Sequence, residues 1–133
     1  MLAYAWVALG GALGSVARYW MTNAIVALSG PLFPWATIAI NAIGSFVIGV
    51  VAYATTPIGT VPVSFDIRVF ILVGICGGYT TFSSFSLQTL ELAREGHWFY
   101  AGANIVLSVV LCLIAVWAGY RLALLFGAPR VPD

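Results

Sequence analysis

The chain contains no lysine, one histidine and four acidic side chains in 133 residues, so charged residues make up only 7% of it. An ordinary soluble domain is about a quarter charged, and so little charge leaves nothing to hold a globule in water. The five arginines are scattered over the whole length and the net charge is +1, which excludes a nucleic-acid surface and a polybasic lipid-binding segment. Cysteine is nearly missing too. Cys76 and Cys112 lie inside apolar runs, form no CxxC or metal-ligand spacing, and read as two small buried hydrophobes. His97 stands beside Trp98 and reads as an interfacial belt residue rather than a base, and serines without a base are not nucleophiles. Enzymatic chemistry is therefore not expected.

What is present is hydrophobic surface, 62% of the residues. One crossing of a bilayer takes roughly 20 apolar residues, so the length allows a single domain, residues 1–133, of four transmembrane helices and leaves no room for a separate soluble domain. The spacing of charges and prolines predicts spans over about 3–28, 35–54, 69–94 and 98–126. Ser29-Gly30-Pro31 ends the first, and Pro31 and Pro34 bracket a short turn. No charge occurs from Tyr19 through Phe65, too long for one crossing. Thr55-Thr56-Pro57 stops the second span, and the loop Pro57 to Phe65 delivers the chain to Asp66 and Arg68. The third ends near Arg94-Glu95-Gly96, and His97-Trp98-Phe99-Tyr100 supplies an aromatic belt to the fourth. The N-terminus lacks the basic stretch that opens a signal peptide and reads as a retained first helix; the tail Ala128 to Asp133 is expected to fray.

Orientation is nearly undetermined by charge. With the N-terminus inside, Arg68, Arg121 and Arg130 fall on the inner side, Arg94 on the outer, and Arg18 reaches outward by snorkelling. Since the arginine difference between sides sets topology, near-balance predicts insertion both ways up and an antiparallel homodimer. Four helices also have barely enough interior to pack themselves, so a second copy would complete the walls of any path. Gly10-xxx-Gly14 and Ser45-xxx-Gly49 permit close helix contact and are candidates for the dimer face, although small residues are common in membrane helices generally.

Polar groups inside a membrane are expensive and tend to be functional. Thr37, Asn41 and Ser45 form one stripe on the second span; Asn104, Ser108 and Cys112 form another on the fourth. Either serves as a conduction lining or as hydrogen-bonding glue between helices. The third span reads Gly77-Gly78-Tyr79-Thr80-Thr81-Phe82-Ser83-Ser84-Phe85-Ser86. Paired glycines before a hydroxyl-rich run predict a helix broken in mid-membrane, and broken backbone at that depth lines a cavity or coordinates a cation through freed carbonyls. Beyond it Phe82 and Phe85 face one way, with Thr81, Ser84 and Gln88 on a neighbouring line. Phenyl edges are electropositive, so such a lining suits an anion, whereas a lone phenylalanine pair otherwise reads as lipid or helix packing.

The run Gly77 to Ser86 is similar to the signature of the Fluc/CrcB fluoride channel family. Gly10-Gly11 with Gly14 and Arg18-Tyr19, Asn41 with Gly44-Ser45-Phe46 and Gly49, and the Ser108 region agree with it in order and spacing over the whole chain. The resemblance implies an all-α, dual-topology antiparallel homodimer in the cell inner (plasma) membrane, with two fluoride pores, a central structural sodium ion, and lipid around it. Matched by motif position, Gly77 and Thr80 would give backbone carbonyls to sodium, Phe82 and Phe85 would face the fluoride path, and Asn41 would donate its amide to the ion. Thr81, Ser84 and Ser108 would form a polar track, and Arg18 and Gln88 would stand at the pore mouth. Many relatives carry Glu at the Gln88 position and Thr at the Ser84 position. Passive relief of fluoride toxicity is the function implied. The rival reading, a small proton-coupled multidrug exporter, needs a carboxylate inside the membrane, yet Asp66, Glu91, Glu95 and Asp133 sit in loops, near helix ends or in the tail.

Overall fold

A computed structural model describes residues 2–56 and 61–126. The expected frayed tail and residues 57–60 of the loop after the second span lie outside these. Among the described residues there are helices and turns but no strand. Helix α1 covers Leu2–Ser29 and α2 Trp35–Ala54; α3, Phe65–Val69, runs into a π-helical stretch Phe70–Cys76 and then α4, Gly77–Tyr79; α5 covers Phe82–Arg94 and α6 Trp98–Phe126. Three helical units are long and apolar enough to cross a membrane: Trp35–Ala54, Phe65–Arg94 taken as one, and Trp98–Phe126. Helix α1, at 28 residues, is also long enough for a crossing, but Gly10, Gly11, Gly14 and Arg18 make it less apolar.

The turns follow local chemistry. Gly30 (φ 76°) ends α1, its N–H donating to the Val26 carbonyl at 2.9 Å. Gly96 (φ 85°) ends α5 with a paired capping motif, its own N–H reaching Ala93 O and that of His97 reaching Leu92 O at 2.8 Å. Both turns lie at one end of the bundle, where Phe33 meets Tyr100 edge-on at 5.8 Å. At the other end α3 starts four residues earlier than the charge pattern predicts, because the Ser64 hydroxyl accepts from Ile67 N–H and caps it. The Arg68 guanidinium then donates to the Thr55 carbonyl at 2.8 Å and the Ala52 carbonyl at 3.4 Å. That places a fixed positive charge on the unsatisfied carbonyl end of α2.

Two packed pairs build the interior: α2 lies along α6, and α1 lies along the π-helical stretch and α4. Both rely on missing side chains. A Cβ at Gly10 would stand 2.6 Å from the Phe70 carbonyl oxygen and 2.8 Å from Gly74 Cα, and one at Gly14 would stand 2.8 Å from Tyr79 N. Gly49 and Gly119 do the same between α2 and α6, each facing backbone of the other helix. The Gly10-xxx-Gly14 stripe is thus occupied inside one chain. The interior itself is small: Ile38, Ile40, Ala36, Cys76, Leu92, Ala101 and Ala123 are buried, while most large apolar side chains of α6 face outward.

Candidate functional site

Thr80 and Thr81 interrupt the helical chain. Thr80 is extended (φ −80°, ψ 158°) and so is Thr81 (φ −154°, ψ 113°). The paired glycines before them remain helical: Gly77 has φ −65° and ψ −37°. This corrects the expectation that Gly77-Gly78 break the helix. Gly78 is used for close approach instead, since a Cβ there would stand 2.9 Å from Gly11 Cα.

What holds the interruption is Asn41 of α2. Its Oδ1 accepts from Thr81 N–H at 2.7 Å and its Nδ2 donates to the Thr81 carbonyl at 3.0 Å. One primary amide thereby pairs with an extended residue as a neighbouring strand would. The Thr81 hydroxyl accepts from Ser84 N–H at 3.2 Å, capping α5, and donates to Ser84 Oγ at 3.0 Å. A continuing helix would send Thr81 N–H to the Gly77 carbonyl and Ser84 N–H to that of Thr80; both donors are taken elsewhere. Two backbone oxygens are left for another partner, whereas the Cys76 carbonyl accepts twice, from Thr80 N–H and Thr80 Oγ1.

These groups border a cavity of about 400 Å³ lined mainly by apolar atoms of α2, the π-helical stretch, α5 and α6. Asn41, Gly77, Thr80, Thr81, Phe82, Phe85 and Ser108 all line it, together with Ser45, Cys76 and Cys112. Gly44 gives the Thr80 side chain its place, since the Thr80 methyl fills the space a Cβ would take. Among the described residues no carboxylate lines this cavity. The Phe82 and Phe85 rings touch at a centroid distance of 5.2 Å, inclined by 51°. They differ in cover: Phe85 is 9% exposed and Phe82 is 76% exposed.

Ser84 joins the site through Thr81 but does not line the cavity. Gln88 is separated from it. It borders a second cavity of about 290 Å³ near the turns at the other end of α5, with Thr22, Glu91 and Glu95, and its buried Oε1 has no hydrogen-bond partner. Arg18 lies on α1, half-buried, and lines neither cavity. One residue escaped the sequence reading: Thr89, whose hydroxyl accepts from the fully buried Asn104 Nδ2 at 2.8 Å and donates to the Phe85 carbonyl at 2.7 Å. The signal that finds it is spacing, a hydroxyl four residues after Phe85 on the same helix face.

Known proteins match this amino-acid sequence over nearly all of the chain. Residues 5–120 match the profile of the family described as "CrcB-like protein, Camphor Resistance (CrcB)". A protein of Rhodospirillum rubrum named "Fluoride-specific ion channel FluC" is 56% identical over 126 residues, covering 95% of this chain and 98% of its own. The like-named protein of Paramagnetospirillum magneticum is 56% identical over 120 residues, covering 90% and 94%, and that of Geobacter sulfurreducens is 43% identical over 117 residues, covering 88% and 93%. With the profile matching residues 5–120 and such identity over about nine-tenths of its length, the chain belongs to the CrcB family.

Proposed function

We propose that this protein is a fluoride-selective channel of a bacterial plasma membrane, passing the ion down its gradient and so lowering cytoplasmic fluoride. The observation that carries the reading is the cavity bounded by Asn41, Thr81, Phe82, Phe85 and Ser108, which has hydroxyl, amide and phenyl-edge groups and, among the described residues, no carboxylate. It is supported by the names of relatives more than half identical. Fluoride is small and strongly hydrated, and removing its water without replacement is prohibitive, so a pore must substitute donors along the way while binding weakly enough to release the ion. Asn41 has one N–H left after pairing with Thr81, and this remaining hydrogen is the one an ion would meet. Its amide is therefore a shared group, half holding the backbone and half facing the anion.

In this reading all four helical units span the membrane, with the third interrupted at Thr80-Thr81, and two chains assemble antiparallel. Phe82, 76% exposed in one chain, acquires its cover from the second copy. Gly77 and Thr80 hold a structural sodium ion through the carbonyls that the helix interruption releases. Such a set fits an alkali cation, which takes uncharged backbone oxygens. Arg18 and Gln88 belong to the approaches rather than the narrow path. An exporter coupled to protons would need a titratable carboxylate in the cavity, and Glu91 lies instead on the last turn of α5 with Glu95 just past its end.

Fluoride efflux from liposomes holding the purified protein, followed with a fluoride electrode, tests the function. Rapid efflux of fluoride without chloride is the expected result; efflux of neither anion from correctly folded protein overturns it.

A further inference from the structure

We propose that Asn104 is a switch residue, whose side-chain amide reverses so that Ser108 alternates between donating its hydroxyl hydrogen into the protein and donating it to an ion in the cavity. The inference rests on the fluoride-channel reading and extends it to a residue that does not line the cavity.

Four groups form a one-way chain of hydrogen bonds from α6 to α5. The Ser108 hydroxyl donates to Asn104 Oδ1 at 3.2 Å, Asn104 Nδ2 donates to Thr89 Oγ1 at 2.8 Å, and the Thr89 hydroxyl donates to the Phe85 carbonyl at 2.7 Å. Asn104 has no exposed surface and Ser108 is 6% exposed, yet Ser108 borders the cavity. A serine hydroxyl has a single hydrogen. While that hydrogen is on Asn104, Ser108 offers the cavity only lone pairs, which repel an anion.

Reversal of the amide changes this without leaving any group unpaired. Nδ2 then donates to Ser108 Oγ, and Oδ1 accepts from the Thr89 hydroxyl, which turns away from Phe85. The Phe85 carbonyl keeps its place in the α5 ladder, and Ser108 is left with a free hydrogen to give an anion. Both arrangements use the same heavy-atom positions and satisfy every buried polar atom, so the two are close in free energy and a bound ion selects between them. Permeation uses the alternation, because a hydroxyl that always donated would retain fluoride and one that never donated would not admit it.

Thr89 is the partner that balances the two states, so its loss leaves the amide settled in one of them and slows passage either way. In liposome efflux Thr89→Val is expected to lower fluoride flux about tenfold, with Thr89→Ser recovering most of the loss. In a Ser108→Ala background, Thr89→Val should add less than about a twofold effect, since the hydrogen it controls is gone. An equal loss in both backgrounds makes Thr89 a packing residue and overturns the switch. A second measurement uses the unsubstituted protein: the chain has three asparagines, Asn23, Asn41 and Asn104, so ¹⁵N-asparagine labelling resolves their side-chain amides by NMR. Fluoride, and not chloride, should shift the Asn104 pair along with that of Asn41. A response of Asn41 alone sinks the switch and leaves the channel standing; absence of fluoride efflux from the unsubstituted protein removes both.

Discussion

Asn41 on α2 and Thr81 between α4 and α5, forty residues apart, are joined by two hydrogen bonds of 2.7 and 3.0 Å, the first of which replaces the helical bond lost by the Thr81 N–H. The helix interruption is therefore a tertiary object. Thr81 is extended because a carboxamide on α2 stands opposite it, and α5 starts there because the same residue's hydroxyl caps the new helix.

Asn41→Leu keeps the volume of the side chain and removes both bonds, leaving the Thr81 N–H without a partner while its carbonyl keeps the first bond of α5. A loss of about 1 to 3 kcal/mol is expected from the unsatisfied donor, together with loss of fluoride flux. Asn41→Asp keeps the acceptor and loses the donor, and should fall between. Denaturant titration in detergent and the efflux assay give the two readouts; unchanged stability in Asn41→Leu contradicts the role of the clasp.

The two phenylalanines should separate stability from conduction. Phe85 is 9% exposed, so Phe85→Ala opens a cavity and costs about 3 to 5 kcal/mol. Phe82 is 76% exposed in one chain, and Phe82→Ala should leave the protomer's melting temperature within a few degrees while abolishing fluoride efflux. Wild-type flux in Phe82→Ala removes the phenyl edge from the pathway.

Adjacent glycines on α1 should respond in opposite ways. A Cβ at Gly10 meets the Phe70 carbonyl oxygen at 2.6 Å, whereas one at Gly11 meets nothing within 4 Å. Gly10→Ala is expected to destabilise by about 1 to 3 kcal/mol through overpacking, and Gly11→Ala to be neutral or slightly stabilising through helix propensity. Thermal melts of the two variants in one detergent decide this.

Removal of sodium tests the carbonyl pair at Gly77 and Thr80. A ligand bound only by the folded state stabilises it in proportion to the logarithm of its concentration. Replacing sodium with a bulky organic cation at constant ionic strength is expected to lower the melting temperature and the fluoride flux, and restored sodium should recover both. Identical melts in the two buffers contradict a structural cation.

Much of the linear arrangement was legible in the amino-acid sequence. The shortage of charge, the long apolar stretches and the Pro and Gly punctuation mark where α2 and α6 begin and where α1 and α5 end, because these are local effects of side-chain solvation and backbone freedom. The run from Gly77 to Ser86 also pointed to the right family. Other features were not legible. Gly77-Gly78 looks like a helix breaker on propensity, but whether a glycine pair breaks a helix or admits a neighbour depends on what lies opposite, here Gly11. The Gly10-xxx-Gly14 stripe allows contact with any close helix, and only the fold assigns it to the same chain. Gln88 follows Ser84 on a helical face, yet it borders a different cavity.

Composition and local patterning alone determined that this chain is a hydrophobic helical protein, and which segments are helical, because those properties follow from residues within a turn or two of one another. Tertiary structure alone decided which amide holds Thr81, which of two phenylalanines is covered, and that Ser108, Asn104 and Thr89 share one line of hydrogen bonds. Those facts depend on the directions of side chains brought together from different helices, and no spacing along the chain contains them.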